Sequence, residues 1–146
     1  MNMNKRVLVS TLVLCCLASA QAQKNYEQGD PKNANAAYLK DYNPLKDYIN
    51  YEKYPNFKLG IGTTVSDYLN NRNNVKDITE GYFTETVAGN AMKMASCVDN
   101  SGNMNFTTVT QYVNTATEAG LNVYGHTLAW HSQQPIGWLT SLLADK

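Results

Sequence analysis

Apolar and polar residues follow two different periods along this chain. Alternation, together with β-branched and aromatic side chains, predicts strands over residues 57–61, 83–87 and 122–128. Apolar residues three and four positions apart predict a helix over residues 107–119, and Gly120 is suited to end it. Strands that alternate with helices are typical of βαβ units, so the pattern predicts an α/β fold with a parallel sheet.

Shorter helices and a turn account for much of the remaining sequence. Residues 36–54 predict one helix, or two short ones because Pro44 interrupts the pattern. Residues 90–97 and 137–143 are also predicted to be helical, and residues 99–103 predict a turn. Three strands are few for an α/β domain, and a (β/α)8 barrel needs about 250 residues. The 146-residue chain is therefore either a smaller fold or a piece of a larger one.

The N-terminus has the composition of a secretory signal peptide. A short basic start precedes an apolar stretch at residues 7–17, and small residues follow it. The stretch is too short to span a membrane, so residues 1–22 predict a secreted or periplasmic protein. A buried N-terminal helix is disfavoured because no capping residue precedes it. Lipoprotein anchoring at Cys15 or Cys16 is disfavoured because Leu14 is too large for the usual processing site.

Charge and spacing exclude several classes of partner. The chain has 12 basic and 12 acidic residues, and cleavage of the signal peptide would remove Lys5 and Arg6, so no basic patch for nucleic acid is expected. Cys97 would then be the single cysteine, which predicts an inert buried thiol. His126 and His131 lie five residues apart without a nearby Glu or Cys, so neither a metal nor another cofactor is predicted.

Five residues near the predicted strand ends have side chains suited to binding a sugar polymer. Amide, imidazole and ammonium groups can satisfy sugar hydroxyls in definite directions, and an indole offers a flat apolar face to a sugar ring. These candidates are Asn90, Lys93, His126, Trp130 and Gln133. Simpler roles stay open for four of them. Lys93 could be a solvated charge and Asn90 a helix N-cap. Trp130 and His126 could belong to the core.

Two segments of the chain resemble glycoside hydrolase family 10. Residues 125–135 contain Gly-His-Thr-Leu-x-Trp-His-Ser-Gln, which is similar to a segment of that family, with Ala129 where a larger residue is common. Residues 90–93 read Asn-Ala-Met-Lys and are similar to the family's Glu-Asn-x-Met-Lys segment, with Gly89 in place of the Glu. The resemblance covers residues 57–139, and the first of the two segments is highly specific.

The resemblance implies a domain organisation and an activity. Residues 23–56 would be a leader and N-terminal helical segment, and residues 57–146 would be the first three βα units of an incomplete (β/α)8 TIM barrel. The implied enzyme is a secreted endo-1,4-β-xylanase that hydrolyses internal bonds of xylan with retention. The five candidate residues would bind xylan or xylo-oligosaccharide.

The same resemblance implies that the chemistry lies outside this chain. The family carries its acid/base in a Trp-Asp-x-x-Asn-Glu segment and its nucleophile in a Thr-Glu-x-Asp segment, and neither occurs in the sequence. The chain is therefore expected to be inactive alone and to need the missing C-terminal half of the barrel as its partner. A non-catalytic secreted carbohydrate-binding protein and a small α/β interaction protein are the alternatives.

Overall fold

The structure, a computed structural model, describes residues 34–144, so the predicted signal peptide lies outside the described residues. The segment before the sheet contains two 3₁₀ helices, Ala34–Asp41 and Leu45–Tyr48, and Pro44 immediately precedes the second. Of the two predicted alternatives, two short helices with an interruption at this proline are found, although both are 3₁₀ rather than α-helical. The helix predicted to continue to residue 54 ends at Tyr48, so that part of the prediction is wrong. Proline suits the start of a helical turn because it has no N–H to leave unpaired there.

Three parallel strands form one sheet in the order β1-β2-β3. Their bounds are Gly60–Thr63 for β1, Glu85–Ala88 for β2 and Asn122–Val123 for β3. The prediction of three adjacent parallel strands is confirmed, and the α/β class with it. Strands β1 and β2 begin two to three residues later than the alternation predicts.

The third strand is shorter than predicted. Val123 is its last residue, and the backbone N–H of Tyr124 still donates to the carbonyl of Thr86 at 2.9 Å. Residues 125–128 have no ladder pairing and belong to the long loop that follows β3, which bends at residues 128–129. The prediction of a strand to residue 128 is therefore wrong, since aromatic and β-branched residues favour a strand only where a neighbouring strand is available to pair.

The α-helices lie between and after the strands, and their bounds are α1 Val65–Leu69, α2 Val75–Tyr82, α3 Met94–Cys97, α4 Thr107–Glu118 and α5 Ile136–Ala144. A 3₁₀ turn at Arg72–Asn74 connects α1 to α2. The helices predicted over residues 107–119 and 137–143 are confirmed. Gly120 follows α4 with a φ of 83°, a left-handed conformation that glycine adopts without steric cost. None of the helices within residues 34–144 is long and apolar enough to cross a membrane.

The helix predicted over residues 90–97 is only half formed. Residues 90–93 are a turn in which the N–H of Lys93 donates to the carbonyl of Asn90 at 3.1 Å. Lys93 has extended backbone and occupies the position that precedes Met94, the first residue of α3. The alternative of Asn90 as a helix N-cap is wrong, because the helix begins four residues after it.

The core lies between α4 and the sheet. Its buried members are Tyr68, Ala88, Tyr112, Ala116 and Leu121. The rings of Tyr68 and Tyr112 meet edge to face with centroids 5.1 Å apart. The Tyr68 hydroxyl donates to Glu80 at 3.1 Å, and burial followed by the charge of Glu80 raises the pKa of Tyr68 far above its usual value. Tyr68 therefore stays a neutral hydrogen-bond donor.

A chain of buried hydroxyl groups connects α4 to the first two strands. The Tyr112 hydroxyl lies 2.8 Å from Thr63 Oγ1 and 2.7 Å from Thr86 Oγ1, and Thr86 Oγ1 donates to the carbonyl of Ile61 at 3.2 Å. Because the Thr86 proton is used on that carbonyl, Thr86 accepts from Tyr112, and Tyr112 in turn accepts from Thr63. Each of these three hydroxyl protons has one acceptor, so the three hydroxyl groups lie in the core without an unpaired donor.

Candidate functional site

The predicted binding residues lie in the loops that follow β2 and β3. Parallel strands end at the same edge of a sheet, so these loops are neighbours. The N–H of Gly89, directly after β2, donates to the carbonyl of Thr63 at 2.8 Å, which ties the start of one loop to the last residue of β1. Asn90 and Lys93 follow in this loop, and residues 124–135 form the loop after β3.

Lys93 and Trp130 come together although they are far apart in sequence. The Lys93 ammonium lies 4.0 Å from the centroid of the Trp130 ring. At this distance the negative face of the indole attracts the cation. The His131 ring makes a T-shaped contact with the Trp130 ring, and the ring centroids lie 4.9 Å apart. The Trp130 residue remains 38% exposed. Lys93 therefore covers part of one indole face, while the rest of the ring stays open to a ligand.

Backbone contacts hold the Trp130 loop against the start of α3. The carbonyl of Gln133 accepts from the N–H of Ala95 at 2.9 Å. Gln133 itself has a φ of 51°, in the left-handed region that residues with a Cβ rarely adopt. The side-chain amide of Gln134 donates to the carbonyl of Trp130. These bonds set the position of the indole relative to Lys93, and they leave the Gln133 side chain exposed.

Within residues 34–144, the side chains of His126 and Asn90 make no hydrogen bond or ring contact with the lysine–indole pair. The His126 ring lies beside Tyr124, with centroids 6.4 Å apart and planes 30° apart. The Asn90 side chain is exposed, while its carbonyl accepts from the Ser96 hydroxyl at 2.8 Å. Within residues 34–144 no hydrogen bond or ring contact joins His126 to Lys93. The structure thus brings Lys93 and Trp130 into contact, and the binding role of all five residues stays a prediction.

The sequence reasoning missed two aromatic neighbours of the site. Tyr124 flanks His126, and their spacing of two residues directly after β3 is the signal that both rings could lie on one side of the chain. His131 packs on Trp130, a contact between adjacent residues that depends on the loop conformation and has no periodic signal. In the described part of the chain, His, Cys, Asp and Glu side chains form no group of three that could hold a metal ion.

Comparison with known proteins agrees with the motifs at these loops. The family model described as glycosyl hydrolase family 10 matches residues 50–146, about two thirds of the chain. The chain belongs to glycosyl hydrolase family 10. Membership covers both loops that carry the site and all three strands that position them.

Relatives of this family 10 chain include xylanases of bacteria and fungi. Endo-beta-1,4-xylanase Xyn10C of Cellvibrio japonicus is 30% identical over 108 residues, which cover 71% of this chain and 16% of the relative. Endo-1,4-beta-xylanase 1 of Gibberella zeae is 38% identical over 63 residues, which cover 43% of this chain and 18% of that relative.

Solved structures resemble the described sheet and helices. Xylanase 10B of Thermotoga petrophila in complex with xylobiose matches with a TM-score of 0.56 and 26% identity, over 68% of this chain and 30% of that one. Native xylanase 10C of Cellvibrio japonicus also matches with a TM-score of 0.56, at 30% identity, over 66% of this chain and 20% of that one. This family 10 chain therefore spans less than a third of the length of the relatives and structures that it matches.

Proposed function

We propose that the chain is the N-terminal part of a secreted endo-1,4-β-xylanase that hydrolyses internal bonds of xylan with retention. Its three βα units would be the first three of an incomplete (β/α)8 barrel, and its loops would supply binding residues on the non-reducing side of the cleaved bond. Family membership and the xylanase relatives support this proposal.

The contact between Lys93 and Trp130 carries the proposal. An indole with an open area and an N–H at its edge can pack on a sugar ring and donate to a hydroxyl. The neighbouring ammonium offers three more N–H donors. Since the pair lies beyond the carboxyl ends of parallel strands, it occupies the edge where barrel enzymes bind their substrates.

Two carboxylates that lie on or directly after the strands, those of Glu85 and Asp67, are poorly placed for the chemistry. Retaining glycosidases use two carboxyl groups about 5–5.5 Å apart at the cleaved bond. Glu85 is the first residue of β2 and so lies toward the opposite edge of the sheet. Asp67 accepts the Thr64 hydroxyl at 2.6 Å and pairs with Arg72 at 3.4 Å, so its charge is engaged beside α1. We therefore propose that the chain binds xylan and does not hydrolyse it alone.

Calorimetry with xylotriose, combined with a reducing-sugar assay on soluble xylan, tests this proposal. The full chain should bind xylotriose and release no reducing sugar above the blank. Trp130→Ala should abolish binding. Trp138→Phe is the matched control, since Trp138 lies on α5 and packs against the turn at Gly102. Unchanged affinity in Trp130→Ala would remove the indole from the site, and sugar release by the chain alone would show that it carries its own catalytic groups.

A second experiment separates the enzyme fragment from the alternative carbohydrate-binding protein. The chain is mixed with a separately expressed C-terminal portion of a related family 10 xylanase. Hydrolysis by the mixture, absent from either piece alone, supports the barrel fragment. Binding of xylotriose without hydrolysis by the mixture favours a non-catalytic carbohydrate-binding protein.

Export is tested independently of binding. Expression of the full chain in a bacterium with an intact secretory pathway should release a product that begins near Gln23, because the small residues before it form the proposed cleavage site. N-terminal sequencing of the periplasmic fraction measures this. A product that retains Met1 and stays in the cytoplasm would contradict secretion.

A further inference from the structure

One asparagine of the chain lies in the acceptor pattern for N-linked glycosylation. Asn105-Phe106-Thr107 is the one place in the sequence where threonine or serine follows an asparagine by two positions with no proline between them. An oligosaccharyltransferase attaches glycans to this pattern in exported proteins, on surface segments. The pattern is only three residues long, so the structure has to show that the asparagine is presented to solvent.

The structure leaves the reacting nitrogen of Asn105 available. Asn105 and Thr107 are both exposed. Asn105 Oδ1 accepts from the backbone N–H of Thr107 at 3.0 Å, and the backbone N–H of Asn105 donates to the carbonyl of Cys97 at 2.8 Å. Within residues 34–144 the hydrogen bonds of Asn105 do not engage Nδ2, the atom to which an N-linked glycan is attached. The turn therefore holds the backbone and the side-chain carbonyl and leaves the amide nitrogen unpaired.

The exposure of Asn105 is set by elements that the chain already contains. β2 is the middle strand, so further strands of the proposed barrel would join the outer edges of β1 and β3. Helix α4, which follows Asn105, packs on α1 through the ring contact of Tyr112 with Tyr68. On the other side, the turn before Asn105 contacts α5, where Asn100 Oδ1 accepts from the N–H of Gly137 at 3.1 Å. Both neighbours of this connection are therefore in place, and Asn105 stays exposed between them.

We propose that Asn105 is a site of N-linked glycosylation, with an oligosaccharide carried on a lipid diphosphate as the sugar donor. This inference rests on the secretion part of the proposed function and is independent of xylan binding. Asn105 Nδ2 would bond to the anomeric carbon of the first sugar while the bond from that carbon to the diphosphate oxygen breaks. The lipid diphosphate leaves, and a base of the transferase takes one amide proton, so the step needs no oxidant or reductant.

Apolar side chains on either side of Asn105 favour a glycan at this position. Met104 is 60% exposed and Phe106 is 50% exposed. An attached glycan is bulky and hydrophilic, and the C–H face of a sugar can pack on an aromatic ring. A glycan on Asn105 would therefore cover part of this apolar surface.

Expression of the full chain with its own signal sequence in eukaryotic cells tests the proposal. The secreted product is compared by gel electrophoresis and mass spectrometry before and after digestion with peptide N-glycosidase. The wild-type chain should lose the mass of one glycan. Because that enzyme hydrolyses the side-chain amide bond, the peptide that contains Asn105 should end with a carboxylate at this position.

Variants assign the glycan to the three-residue pattern. Asn105→Gln and Thr107→Ala should both be secreted without a glycan, whereas Thr107→Ser keeps the hydroxyl group and should keep the glycan. The matched control is Asn114→Gln, since Asn114 is also exposed, lies on α4 and has Ala116 two positions after it. Asn114→Gln should carry the same glycan as the wild-type chain.

A second assay separates glycosylation from export. The full chain, purified from a bacterial cytoplasm, is incubated with a purified oligosaccharyltransferase and its lipid-linked oligosaccharide. If the eukaryotic product keeps Met1 and stays in the cytoplasm, the proposed secretion fails. Transfer to Asn105 in the purified system then still supports the acceptor site, and no transfer overturns both proposals.

The remaining outcomes decide the inference when export succeeds. A single glycan that is lost in Asn105→Gln and Thr107→Ala and kept in Asn114→Gln supports it. A secreted product with a cleaved signal peptide and no glycan overturns it and leaves the proposed secretion intact. A glycan that persists in Asn105→Gln also overturns it, because the sugar would then be attached elsewhere.

Discussion

Replacing Tyr112 with Phe removes one hydroxyl from the buried chain that joins α4 to the sheet. Thr63 then has no acceptor for its proton, and Thr86 loses its donor while it keeps its own bond to the carbonyl of Ile61. Thr63 is 6% exposed and Thr86 is fully buried, so water cannot readily replace the lost partner. A buried polar group left unsatisfied costs about 1–3 kcal/mol. Because one of the two threonines keeps a bond, we expect Tyr112→Phe to lower the free energy of unfolding by about 2 kcal/mol.

Urea unfolding followed by circular dichroism measures this loss. For small proteins the free energy of unfolding falls by about 1–3 kcal/mol for each molar of urea, so the midpoint should fall by about 1 M. Tyr54→Phe is the control, since Tyr54 is 52% exposed and lies outside the buried hydroxyl chain. A surface change of this kind should alter the free energy of unfolding by less than about 0.5 kcal/mol.

A double-mutant cycle with Thr63→Val decides whether the hydrogen bond is the cause. Valine has nearly the shape of threonine without the hydroxyl, so the double variant leaves no unpaired group between positions 63 and 112. Replacement of both partners by apolar groups can be nearly neutral. We therefore expect the double variant to lose less stability than the sum of the single variants, with a coupling of about 1 kcal/mol. Additive losses, or a Tyr112→Phe variant as stable as wild type, would show that the Thr63–Tyr112 hydrogen bond is not the cause of the loss.

Three other residues give predictions with separate readouts. Hydrogen bonds from the side chain and backbone of Asn103 and the backbone of Ser101 hold the pKa of Asp99 below its usual value. In urea unfolding, the wild-type chain should therefore be more stable than Asp99→Asn. This difference in the free energy of unfolding should be complete above about pH 4 and shrink as the pH falls through the lowered pKa of Asp99; a difference unchanged down to pH 2 would contradict this. Burial raises the pKa of the Cys97 thiol, so a Cys97 reporter chain with its other two cysteines replaced by serine should react slowly with a thiol reagent when folded and much faster in urea. Equal rates in both states would show that the thiol is accessible. Since Gln133 has left-handed backbone, Gln133→Val should cost about 1–2 kcal/mol and lower the melting temperature, whereas Gln133→Asn should not; equal melting temperatures would count against a strained loop.

Local patterns of the sequence predicted most of the fold. The spacing of Tyr112 and Ala116 predicted the face of α4 that is buried, and Gly120 predicted where that helix ends. The βαβ order predicted parallel strands, because a helix between two strands returns the chain to the same edge. The local patterns missed helix α2, the early end of β3 and the turn at residues 90–93. The last two depend on which backbone groups find partners in the folded chain.

Some features of the candidate site follow from the sequence, and others only from the tertiary structure. The sequence by itself determined the family and the residue types of the loops, because the motifs at residues 90–93 and 125–135 are contiguous. Only the tertiary structure decided that Lys93 lies over Trp130 while His126 lies beside Tyr124. No sequence period connects Lys93 with Trp130, which are separated by two helices and a strand. Their contact follows from the parallel pairing of β2 with β3, which brings the ends of the two strands to one edge and lets their loops meet.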